Sequence, residues 1–196
     1  MPHCDAAGRG RPLPKKRGRP SHHPLVAFIR ETGDCLGVRW RAGGAHTAEG
    51  AQEWIEELVE RLRSAGVRDI TVRLDKGFFS RNMVRTLERL GVSFLLKVPR
   101  HGWLKGHRSN WRFSAKGEAI FPGEDLCTAT GTLWGVRLLT VQTTRPAEED
   151  GELALGDYEI LRQADVLTNI GGIHALIAWR LYNKGAVVEQ RIEEMV

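Results

Sequence analysis

Between Ile70 and Val98 the hydrophobic period changes twice, and that change limits the folds open to the chain. Ile70, Val72 and Leu74 alternate with Thr71 and Arg73, a strand with one face turned inward. Asp75-Lys-Gly77 ends it. Ser80 can then cap a helix whose apolar stripe is Met83, Val84, Leu87 and Leu90, closed by Gly91, and Val92 to Val98 reads as a second strand stopped by Pro99. A crossover helix between two neighbouring strands makes them parallel. The chain is therefore expected to build an α/β sheet with Asp75 at the carboxyl end of a strand.

The flanking segments extend this pattern. Leu25 to Ile29 and Leu36 to Trp40 are short apolar runs around Glu31-Thr-Gly-Asp34, the composition of a hairpin. From Thr47 to Arg63 the residues Ala51, Trp54, Ile55, Leu58, Val59 and Leu62 draw one helical stripe; Thr47 can cap it, Glu57 and Arg61 form an i,i+4 pair, and Gly66 closes it. Residues 100 to 168 hold only strand-like pieces, notably Trp134 to Val141 and Tyr158 to Thr168, and read as an inserted β-rich segment. Helical patterns return with Leu176, Ile177 and Leu181, and again with Val188, Ile192 and Met195.

Charge is distributed unevenly. Residues 1 to 24 carry six Lys or Arg against Asp5 alone, a net of +5, which is also the net charge of all 196 residues, so the rest of the chain is neutral. Gly and Pro forbid a helix or central strand in this arm, which is expected to be extended and suited either to a polyphosphate or to plain solvation. No window approaches the ~18 apolar residues of a membrane span, and no apolar secretory core is present, so a cytoplasmic protein without membrane contact is expected. Cys4, Cys35 and Cys127 are too scattered for a disulfide framework or a metal knuckle. The histidines lack metal-ligand spacing, and no phosphate-cradling glycine loop is present. The six tryptophans are expected mostly to fill the core or the β-rich segment.

Two acids stand out by position. Ligands of open α/β sheets gather beyond the carboxyl ends of strands, where Asp75 lies, although an Asp there is usually a turn residue or helix cap. Tyr182, Gly185, Glu189 and Val196 are spaced 3, 4 and 7 and fall within a ~60° sector of a helix. By position alone, Glu189 is also one surface carboxylate among Glu189, Glu193 and Glu194.

These same places resemble the DDE transposases of insertion sequences. Val-Arg-Leu-Asp75-Lys-Gly-Phe-Phe-Ser80, the following helix and Val92-Ser-Phe-Leu-Leu-Lys97 are similar to the family's second-acid region, and Tyr182 to Glu189 to its third. That helix signature sets Tyr, Arg, Glu and Lys at spacings of 3, 4 and 7. Lys15-Lys-Arg-Gly-Arg-Pro-Ser-His-His-Pro-Leu25 is similar to the linker after the first acidic strand, and Val166-Leu-Thr-Asn169 to the strand end before the last helix. The resemblance runs from about residue 14 to the end.

It implies an RNase H-like mixed sheet with flanking helices and a β-rich insertion before the last helices. Residues 1–24 would be a basic arm or linker, and residues 25–196 a partial catalytic domain with its insertion at about 100–168. It further implies two Mg²⁺ or Mn²⁺ ions serving DNA cleavage and strand transfer, with Asp75 and Glu189 as catalytic metal ligands. Lys15, Lys16, Arg17, Arg19, Tyr182 and Lys184 would contact DNA. The partners would be double-stranded transposon ends and target, with a homo-oligomer in a complete enzyme.

The sequence departs from the family pattern in three ways. Residues 1 to 13 offer only Asp5, without an apolar strand, so no first acid is assigned; Gly185 stands where the family has Arg; Val196 stands where it has Lys. These departures predict a truncated transposase, its first central strand missing and the edges of Leu25 to Ile29 and Ile70 to Leu74 left open, with little activity of its own. Three rival readings remain: a noncatalytic DNA-binding module, since Lys16-Arg17-Gly18-Arg19-Pro20 resembles an AT-hook core; a simple nuclease; and an interaction domain.

Overall fold

The computed structural model describes residues 24–41, 46, 48–113, 124–146 and 158–183, which fall into two compact units divided between Arg68 and Asp69. In the first unit, β1 (Leu25–Phe28) and β2 (Cys35–Arg39) form an antiparallel hairpin, Leu25 opposite Arg39. Ile29 and Asp34 close the turn through a backbone bond of 2.8 Å, and Gly33 supplies the left-handed residue, φ 77°.

Helix α1 (Ala51–Ser64) follows, burying the predicted residues Ala51, Trp54, Ile55, Leu58 and Val59. Its first turn opens from Gly50 at φ 65°; the expected cap, Thr47, lies outside the described residues. Glu57, expected to pair along the helix, takes a two-pronged contact from the Arg39 guanidinium of the hairpin. Both carboxylate oxygens accept from the same nitrogen, Nη2.

The second unit is built on a six-stranded mixed sheet in the order β3-β4-β8-β7-β6-β5. Its strands are β3 (Thr71–Leu74), β4 (Ser93–Val98), β5 (Arg108–Phe113), β6 (Asp125–Leu133), β7 (Val136–Pro146) and β8 (Tyr158–Thr168). β3 and β4 are parallel, as the crossover requires, and every other pairing is antiparallel. The crossover is α2 (Arg81–Arg89). Ser80 caps it by accepting the Met83 N–H at 3.1 Å, and Met83, Val84 and Leu87 are fully buried. The β-rich segment is thus continuous with the α/β sheet, because β8 pairs directly with β4. Among the described residues β3 ends the sheet order.

Pairing register assigns the two faces, since directly opposed residues share a side. One face carries Leu95, Val166, Leu139, Val141 and Leu126, and packs against Ala175, Leu176 and Ala178 of helix α3 (Ala175–Asn183). The other carries Phe94, Leu96, Leu167 and Leu138, all buried. This second face also holds an ion pair. Arg108 donates through Nε and Nη2 to the two oxygens of Asp165, at 3.0 and 2.8 Å, and the side chains are 6% and 1% exposed. Thr140 and Gln163 donate to the same carboxylate, so its lone pairs are well satisfied. Gly131 permits this seating: a Cβ there would stand 1.7 Å from the His107 carbonyl oxygen.

The tryptophans depart from expectation. Trp54 alone is buried, whereas Trp40, Trp103 and Trp111 are 69%, 52% and 42% exposed. The sheet and α3 fill their core with Leu, Val, Ala and Thr, side chains that fit closely spaced strands better than an indole does.

Candidate active site

Asp75 follows directly on β3, in extended conformation (φ −75°, ψ 166°), and the chain then winds into a short 3₁₀ turn, Lys76–Phe78. The Asp75 carbonyl accepts the Phe78 N–H at 3.0 Å, so its backbone anchors the turn. Its side chain does not cap that turn. The carboxylate is exposed and accepts a hydrogen bond from the Tyr182 hydroxyl, 3.3 Å from Oδ1.

Tyr182 is held in place from several sides. Its backbone carbonyl accepts Arg73 Nη1 at 2.9 Å, while the Arg73 guanidinium and the Lys97 ammonium lie 5.5 and 5.3 Å from the ring centroid. Two cations over one phenol ring favour its fixed orientation. Arg73 sits opposite Leu95 and Lys97 opposite Val166, both members of the cluster under α3, so both cations lie on the face that α3 covers.

The strand end beneath α3 is clamped by side chains. Asn169 accepts the Phe94 N–H at 3.1 Å and donates to the Val92 carbonyl at 2.9 Å, standing in for one more residue of strand pairing. Thr168 donates to the Phe94 carbonyl at 2.6 Å. Arg137 donates to the carbonyls of Ile170 and Ile173 and so fixes the turn that launches α3. The helix thereby reaches the end of β3 with its Tyr182 turn in register.

Of the residues singled out from sequence, the structure brings Asp75 and Tyr182 together. Glu189, Lys184, Lys15, Lys16, Arg17 and Arg19 lie outside the described residues. Arg73 and Lys97 were not anticipated. Their signal was present in the sequence: each is a cation interrupting an apolar strand, Arg73 two positions before Asp75 and so on the same side of the strand.

The family model of the transposase DDE domain matches residues 3–192. The chain belongs to the DDE transposase family. Its described sheet and helices are consistent with an RNase H-like DDE domain, and its function falls within DNA transposition. Among curated proteins no match is found. Transposases bind DNA, and this family generally uses divalent metal ions. An exposed aspartate that accepts a hydrogen bond from one phenol offers hard oxygen donors suited to such ions. Among the described residues no group of three or more His, Cys, Asp or Glu side chains could hold a metal ion. No helix of the described residues is long and apolar enough to cross a membrane.

Proposed function

We propose that the chain takes part in DNA cleavage and strand transfer by contributing Asp75 and Glu189 to a divalent-metal site. The hydrogen bond from Tyr182 to Asp75 carries this reading: the helix ending at Asn183, six positions before Glu189 in the sequence, reaches the strand end that bears Asp75. Mg²⁺ or Mn²⁺, when bound, would activate the attacking hydroxyl or water and stabilise the leaving oxygen of the phosphodiester.

The protein's own groups set the stage for that chemistry. Asp75 presents two hard oxygens beyond the sheet. The Tyr182 hydroxyl orients that carboxylate, and Arg73 and Lys97 add positive charge where a phosphate must approach. Tyr182, Lys184 and the arm residues Lys15, Lys16, Arg17 and Arg19 would contact the DNA backbone. With Asp75 and Glu189 as the only assigned carboxylates to hold the metal ions, turnover by the chain alone is expected to be low.

The test is Mn²⁺ binding to the full chain, followed by electron paramagnetic resonance, alongside Mg²⁺-dependent nicking of a transposon-end duplex. Asp75→Asn is expected to weaken Mn²⁺ binding at least about tenfold. Equal binding by the variant would overturn the proposal. Strong turnover by the wild type, lost in Asp75→Ala, would overturn the expectation of low activity.

A further inference from the structure

A cleft of about 480 Å³ opens on the α3 side of the sheet, between β5 and the start of α3, and none of its lining residues is acidic. Arg112, Arg137 and His174 contribute its cationic and protonatable groups, with Trp111 as an exposed aromatic wall. Three features build it. First, β5 carries a bulge between Ser109 and Arg112, with Asn110 at φ 50°, and beyond it Arg112 stands opposite Thr128. Thr128 is in turn opposite Val141 of the cluster under α3, so Arg112 shares the sheet face that α3 covers. Second, Arg137 is tied to the carbonyls of Ile170 and Ile173, which fixes its charge beside the first turn of the helix. Third, His174 Nδ1 accepts the Leu176 N–H at 3.3 Å, which leaves its other ring nitrogen to carry the proton and donate.

The Arg112 guanidinium, the fixed charge of Arg137, an imidazole N–H and the positive end of a nine-residue helix suit a phosphodiester oxygen. We infer that this cleft binds the sugar-phosphate backbone of duplex DNA, as a second anchoring point beside the Asp75 and Tyr182 end of the same helix. The inference rests on the proposed DNA-processing role and adds a location to it. From His174 to Tyr182 the helix rises ~12 Å, which corresponds to ~3–4 base-pair steps along one strand. The anchored phosphate therefore lies about that far from the phosphodiester at Asp75. Arg73 and Lys97 flank the Tyr182 end of α3, and Arg112 and Arg137 flank its first turn, so the two places lie at opposite ends of one helix.

The test compares full-length Arg112→Gln with Arg85→Gln, which removes the same charge from the exposed side of α2. Duplex affinity is measured across a salt series. Arg112→Gln is expected to bind roughly 3–10-fold more weakly near 0.1 M salt and to lower the salt slope by about 1, with Arg85→Gln staying within about twofold of wild type. Neutral methylphosphonate links, placed one at a time, should weaken the wild type at a link ~3–4 steps from the cleavage point and leave Arg112→Gln indifferent to that link. Wild-type affinity and slope in Arg112→Gln, or equal sensitivity of both proteins to every link, would overturn the inference. Asp75→Asn separates it from the metal-site reading: unchanged Mn²⁺ binding in that variant defeats the metal site and leaves the Arg112 comparison standing, and the reverse holds as well.

Discussion

The hydroxyl of Tyr182 stands 3.3 Å from Asp75 Oδ1, although 107 positions of sequence separate the two residues. The contact joins the end of a parallel strand to the last described turn of a helix whose rotation is set by the packing of Ala175, Leu176 and Ala178.

Substitution of Tyr182 separates its two interactions. Tyr182→Phe removes only an exposed hydroxyl donor and is expected to change stability by less than ~0.5 kcal/mol, while loosening Mn²⁺ binding a few-fold. Tyr182→Ala also removes the ring beneath Arg73 and Lys97 and should cost about 1–2 kcal/mol. Urea unfolding with Mn²⁺ titration of both variants checks the difference.

Asp165 is the most demanding buried charge among the described residues. Asp165→Ala leaves the Arg108 guanidinium buried without its counter-charge and is expected to destabilise by about 3–5 kcal/mol, whereas replacing both by apolar residues recovers much of that loss. Thermal unfolding of the single and double variants gives the comparison.

Cys127 and Cys35 should differ in reactivity. Burial pushes the Cys127 thiol above its ordinary value, while Cys35 is exposed. Iodoacetamide at neutral pH is expected to label the Cys35 peptide readily and the Cys127 peptide only after unfolding, as mass mapping would show. The raised folded value also fixes a sign. The neutral thiol favours the folded state, so this contribution is complete below the unfolded thiol's pKa, about 8.5, and is lost as pH climbs through the folded value. Cys127→Ala should therefore lose stability less steeply than wild type above about pH 8.5.

Gly131→Ala should be among the most damaging small substitutions. Its methyl carbon would fall on the His107 carbonyl, a backbone atom, so β5 must shift, at a cost of about 1–3 kcal/mol or more. Denaturant midpoints of Gly131→Ala and of Gly135→Ser, whose Cβ meets nothing within 4 Å but whose φ of 88° disfavours a side chain, separate crowding from backbone strain.

Local signals made much of this fold legible. Ser80, the Met83 stripe and Gly91 mark α2 because capping and helical spacing act within a few residues, and alternation likewise marks β3 and β4. The pairing of β8 with β4 was not legible, since nothing in Leu95 or Thr168 names its partner 73 positions away. The Arg108 and Asp165 pair was hidden for the same reason. At the candidate site, Asp75 and Tyr182 were visible through position and resemblance. Arg73 and Lys97 were overlooked because a cation within a strand reads as a solvated face until the ring it covers is located.

β4 sits between β3, which precedes it closely, and β8, which emerges roughly seventy residues later. At ~5–20 residues per second, a ribosome needs ~4–14 s to deliver that second neighbour. For that interval the nascent chain displays Phe94 to Val98 with one row of backbone donors and acceptors unclaimed. Until β8 arrives, that row is equally open to another growing polypeptide.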